Sequence, residues 1–284
     1  MRLLLSLVFL IFFPLSAAAS WLDDARASIE QSMLLTGSIS VDAEGHVSGY
    51  TLDKSDRIPE GVRDFVGNRI VGWEFEPMQV DGMPATAKNR MTMRVIARHL
   101  DEDRVEVRLS GVTFQPMEEN SKTQVRMPRH ATPPSYPRAA LRGRVQATVY
   151  LNARVGRDGS VVDTNVSQVD LRILDRPKRS ERWREMFGEM VARAVKNWKF
   201  QPPTEGSLAD DESWDVVVPV SFSLVGTKVN YGQWEVYVPG PYSPAPWKVT
   251  DVGTDGASVN ALVGGGVYTE AGEGQLKLRS KLGG

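Results

Sequence analysis

A short stop is written twice in this chain. Trp73-Glu-Phe75-Glu-Pro77 closes one apolar run, and Trp198-Lys-Phe200-Gln-Pro202-Pro203 closes another. Val62, Phe65, Val66, Ile70 and Trp73 fall on one face of a helix over 62–75; Phe187, Met190, Val191, Ala194, Val195 and Trp198 do the same over 183–200. Proline lacks the N–H a helix needs, so both helices must end there.

The surroundings of the two stops match in order. Upstream of the second, 145–168 holds two β-branched runs separated by Arg157-Asp158-Gly159-Ser160, and Asp-Gly between such runs predicts a hairpin. Downstream, 213–224 is a valine-rich strand with Pro219 inside it, which predicts an edge strand or a bulge. Upstream of the first, 36–53 is strand, Glu44-Gly45 turn, strand; downstream, 89–100 is a strand. From turn glycine to tryptophan is 73 − 45 = 28 residues in one copy and 198 − 159 = 39 in the other, so the second carries 11 more, placed around 171–181. The expected fold is α+β: two tandem β-β-α-β units, each a small antiparallel sheet with one helix packed on it, followed by a C-terminal extension.

Charge divides along the same line. Residues 21–120 hold 11 Lys+Arg against 18 Asp+Glu (11 − 18 = −7), and 121–225 hold 17 against 12 (17 − 12 = +5). The expected domains are 20–120, 121–225 and an extension over 226–284. The modest basic excess, interrupted by Glu181 in its densest run at 176–184, argues against nucleic-acid binding. The 284 residues contain no cysteine, which removes disulfides, thiolate metal sites and thiol nucleophiles.

The N-terminus has the pattern of a secretory signal: Arg2, an apolar run from Leu3 to Phe13, Pro14, then Ala17 and Ala19 at A-x-A spacing. Residues 1–19 are expected to be removed, leaving a periplasmic protein that starts at Ser20 and has no stable membrane span.

The second copy resembles the C-terminal domain of TonB-type energy transducers. The matching features are the Tyr136-Pro137 lead-in, Asp158-Gly159, Trp198 with Phe200 and Pro202, and the closing strand at 216–224, in family order across about 133–224. The first copy lacks the Tyr-Pro lead-in and is a degenerate relative. The chain departs from the family in its cleavable leader and in the short 101–132 connection, which is not proline-rich. Without a membrane helix, energy coupling has no route to a motor. What the resemblance implies is binding of an extended peptide by strand addition. It places the site on Val216, Val218, Val220 and Phe222, with Tyr136 and Pro137 beside it.

No catalytic constellation stands out. His46, His99 and His130 have no metal-ligand spacing, Ser160 is not in a nucleophile elbow, and Asp158 is turn chemistry. No cofactor or metal is expected. Residues 231–247 interleave aromatics with Pro239, Pro241, Pro244 and Pro246, a pattern for an extended arm packed on its own domain or docking a partner. Residues 251–284 are glycine-rich, with a hairpin signal at Thr254-Asp255-Gly256. The expected function is a non-catalytic module binding an envelope or outer-membrane protein segment. The alternatives are an exported hydrolase with an unrecognised site and a scaffold dimerising through edge strands.

Overall fold

A computed structural model describes residues 28–80, 83–100, 104–117, 122–227, 229–247, 262, 264–269 and 276–282. The expected signal segment at 1–19 and the hairpin signal at 254–256 lie outside the described residues. The strands are β1 (Glu30–Val41), β2 (Val47–Leu52), β3 (Gln79–Val80), β4 (Met83–Pro84), β5 (Ala87–His99), β6 (Val105–Pro116), β7 (Ala147–Gly156), β8 (Val161–Leu171), β9 (Ser213–Phe222), β10 (Glu235–Tyr237) and β11 (Tyr268–Thr269). The described helices are α1 (Glu60–Ile70), the short α2 (Arg138–Arg142) and α3 (Pro177–Val195). The fold is α+β, built on two larger antiparallel sheets.

In the first sheet the order is β10-β1-β5-β6, with β2 also paired to β1. Strand alternation sends Met33, Leu35, Ile39 and Val41 of β1, and Met91, Met93 and Val95 of β5, to one face, where Val62, Val66 and Ile70 of α1 cover them. Strand β6 falls in the stretch taken from sequence as a connection. It pairs with β5 along its whole length and adds Leu109, Val112 and Phe114 to that core.

The second sheet has the order β11-β9-β7-β8. Val149, Leu151, Ala153 and Val155 of β7 join Trp214, Val216 and Val218 of β9 beneath Phe187, Val191 and Val195 of α3. Pro177 starts α3 at a position where no intrahelical N–H is needed.

Both helices end earlier than periodicity indicates, at Ile70 and Val195. One further tight turn follows each: Trp73 N–H donates to Ile70 O (3.1 Å) and Trp198 N–H to Val195 O (2.9 Å). That turn keeps each tryptophan on the apolar side, where Trp73 and Trp198 are buried. The next aromatic then bonds to the hairpin glycine. Phe75 N–H donates to Gly45 O and Phe200 N–H to Gly159 O, both at 2.8 Å. Gly45 has φ +96° and Gly159 φ +81°, and a Cβ on either would sit 2.3 Å from Phe75 O or 2.1 Å from Phe200 O. Glycine is required there twice over, by backbone conformation and by close approach.

The chain beyond 225 threads back over both sheets. β10 pairs with Glu30–Ser32 of β1, then Val238 exchanges backbone bonds with Leu171 of β8. Ser243 N–H reaches Ser167 O. The arm therefore covers part of the β8 edge and ties it to the first sheet. Leu276 and Leu278 enter the first core, and Leu278 bridges to Phe75.

Candidate functional site

The residues expected at the peptide site divide sharply in the structure. Val216, Val218 and Phe222 are buried under α3, with side chains in the second core, while Val220 is half-buried. Tyr136 stacks edge-on against Phe222 (5.4 Å between centroids) and Phe187 (5.9 Å), and its hydroxyl donates to Val145 O at 2.7 Å. Pro137 is buried at the start of α2. These side chains hold the sheet and lead-in together; what the strand offers outward is its backbone.

That edge has a definite shape. Pro219 O accepts from Gly265 N–H at 3.1 Å, on the side away from β7. In an antiparallel strand the N–H and C=O of one residue point the same way. The missing N–H of Pro219 therefore falls on the outer edge, and the proline removes no bond to β7. Beside it lies an apolar groove of about 350 Å³, lined by Met127, Ala131, Pro133, Pro134, Trp198, Val218 and Val220, with Gly264 and Gly265 along its other flank. Pro133 and Pro134, not Pro137, supply the lead-in's contribution. Farther along, Tyr268 and Thr269 of β11 pair antiparallel with Val217 and Val216. The chain's own C-terminal segment thus occupies part of this edge.

A second place was not read from sequence. The faces of the two sheets turned away from their helices border a common cavity of about 390 Å³. Ser32, Leu34 and Arg94 come from the first sheet, Thr148, Tyr150, Asp170 and Ser221 from the second, and the 227–237 arm closes over them. Arg94 Nη1 donates to Ser32 Oγ at 2.7 Å. Asp170 Oδ1 accepts from Gln168 Nε2 (2.8 Å) and Gly240 N–H (3.0 Å). Arg172 pairs with Glu235 at 2.7 Å and also donates to Ser223 Oγ at 3.1 Å. Tyr237 donates to Glu30 Oε2 at 2.5 Å, and Glu30 Oε1 pairs with Arg108 at 3.1 Å.

Burial sets the titration of this cluster. It pushes the Asp170 carboxyl up to about 6, against the two hydrogen bonds and the positive field of Arg94 and Arg184. Burial likewise raises Tyr150 far above the ordinary phenol range, and raises Tyr237 with help from its bond to Glu30. Arg94 feels burial opposing its charge, but the neighbouring Tyr150, Tyr237, Asp170 and Glu235 shift it upward on balance. Among the described residues no group of three or more histidine, aspartate or glutamate side chains is placed to hold a metal ion, and no helix is long and apolar enough to cross a membrane.

Sequence reasoning missed this cavity because its residues look like a solvated strand face. Gln168 and Asp170 alternate with Val169 and Leu171, the pattern of a half-exposed strand. Only a second sheet set against that face buries them. The chain matches no family model and no curated protein.

Proposed function

We propose that the chain is an exported, non-catalytic binding protein built from two tandem β-β-α-β units of the TonB C-terminal type, and that its second unit takes an extended peptide along the β9 edge. The observation carrying this reading is the apolar groove beside the outward backbone of Pro219, on an edge where the chain already lays down an antiparallel segment of its own. An extended segment of an envelope or outer-membrane protein would make main-chain bonds along β9 and rest alternate side chains against Trp198, Pro133 and Val220. The tandem reading draws support from the paired Phe–Gly bonds, equal at 2.8 Å. Self-association remains the rival use of an edge, and β6, terminal in its sheet, is where it would occur.

Deleting 226–284 is a poor test, since it also strips Leu276 and Leu278 from the first core. Gly265→Pro is better. It removes the N–H that holds Pro219 O, at a position with φ +92° that proline cannot adopt. A panel of extended peptides from outer-membrane receptor termini, titrated by calorimetry, should bind the full chain weakly and Gly265→Pro more tightly. If neither protein binds any peptide, strand addition at this edge is wrong.

A further inference from the structure

We propose that the cavity between the two sheets is a binding site for a small uncharged polyhydroxylated ligand, a mono- or disaccharide. It does not depend on the peptide reading: the cavity borders the β9 groove at Ser221 and Gly264, but its charged groups, Arg94, Asp170 and Arg172, lie outside that groove.

The first support is construction. The cavity's walls come from four parts of the chain: β1 with β5, β7 with β8 and β9, the 227–237 arm, and Leu262 with Gly264. At about 390 Å³ it lies within the ~300–1,000 Å³ range of small-molecule sites, which favour junctions between sheets or domains. The arm over it is tightly fitted. Gly232 has φ +79°, and a Cβ there would meet Arg57 O at 2.1 Å. Sealing two sheets together would need only apolar faces, but here Ser32, Arg94, Thr148 and Asp170 stand among Leu34, Tyr150 and Leu262.

The second support is charge. Arg172 is matched by Glu235, and Asp170 is bonded by Gln168 and Gly240 while lying in the positive field of Arg94. An anion or a cation entering this space would have to break such a match or leave a buried charge unanswered, which is costly. A neutral ligand has no such conflict.

The third support is the kind of polar group at the wall. Thr148, Ser221, Ser223, Asn230 and Gln233 each carry a group, or a pair of groups, able both to donate and to accept. Ser223 Oγ already accepts from Arg172, which leaves its own O–H to donate elsewhere. A sugar hydroxyl is likewise donor and acceptor at once. A wall of this composition can satisfy several of them together, where a hydrocarbon would leave the wall unsatisfied.

The test is a solute panel on the full chain: sucrose, maltose, trehalose and N-acetylglucosamine as neutral sugars, with glucuronate, glycine betaine and inorganic phosphate as charged probes. Saturation-transfer NMR would screen the panel and calorimetry would measure affinity. Thr148→Phe projects a ring into the cavity from β7, and Gln233→Ala removes an amide at its arm side. At least one neutral sugar should bind one-to-one and saturably, at least tenfold more weakly to Thr148→Phe and measurably more weakly to Gln233→Ala. Circular dichroism and melting confirm that each variant is folded; should Thr148→Phe fail to fold, Gln233→Ala alone decides. Absence of saturable sugar binding, preference for a charged probe, or affinity indifferent to the variants would each overturn the assignment.

Discussion

In the first sheet, the Trp73–Phe75 segment lies between Gly45 on one side and residues 277–280 on the other, with Glu76 N–H donating to Lys277 O and Arg279 N–H to Glu74 O. In the second, the Trp198–Gln201 segment lies between Gly159 and Arg126, with Arg126 and Gln201 exchanging both backbone bonds. The glycine side is the same in both. The other side is filled once from the segment just before the sheet and once from the far end of the chain. The comparison separates two things the short stop does. Holding the aromatic under its helix is local, fixed by the tight turn and the glycine. Covering the outer backbone needs only a strand with an apolar residue facing inward, Val125 in one case and Leu276 with Leu278 in the other.

The largest effect expected from this comparison is at the tryptophans. Trp73→Ala and Trp198→Ala should each cost ~3–5 kcal/mol, the range for truncating a large buried aromatic. Denaturant midpoints would show it, and a large loss in one with none in the other would break the equivalence. A smaller effect probes the difference. Leu278→Ala should cost toward the low end of ~2–5 kcal/mol. It should speed amide exchange at Met33–Ile39 and Met91–Val95 while leaving Val149–Val155 protected. Equal acceleration in both sheets would mean that the two halves open as one unit.

The smallest effect contrasts the helix-covered faces with the faces that meet across the cavity. Asp170 is held between Gln168 on its own strand, Gly240 on the arm, Arg94 on β5 and Arg184 on α3, with Glu235, Tyr150 and Tyr237 also nearby. Its folded value, about 6, lies above the ordinary aspartate value of 3.8, so the folded state holds its proton more tightly than the unfolded one. Its contribution to stability is complete below about 4 and is lost as pH rises to about 6 and beyond. Asp170→Asn should flatten that fall between about pH 4 and pH 6. An unaltered slope would show that Asp170 does not titrate in this window.

The parts legible in sequence are those where local chemistry decides. Asp158-Gly159 announced its hairpin because few residues other than glycine tolerate that backbone, and the stripes of α1 and α3 were visible in their period. Periodicity carries each helix five residues too far, to 75 and 200 instead of Ile70 and Val195, for a physical reason: the tight turn to Trp73 and Trp198 preserves the apolar side after the helix has stopped. Strand β6 is masked in the sequence by the acidic residues that flank it at 101–103 and 118–119, although Val105, Val107 and Leu109 alternate correctly. The β9 edge could be placed from Pro219, but its occupant could not, since the pairing of β11 with Val216 and Val217 depends on a segment about 50 residues away. The cavity was least legible, because a polar strand face has the same pattern whether it meets water or another sheet.

The bond from Glu74 N–H to Ser280 Oγ spans 206 positions. A chain emerging from its N-terminus has β7, β8 and β9, with the segment at Arg126, by residue 222, and gains β11, the remaining strand of that sheet, at Tyr268–Thr269. The first sheet, although begun earlier, must wait for residues 276–280. The sheet begun first is thus the one closed last: it keeps an open edge until residues 276–280 are made, after the second sheet has received β11. Long-range closure of this kind is slow and leaves apolar surface exposed meanwhile. During those last steps the apolar surface still uncovered lies on the N-terminal half.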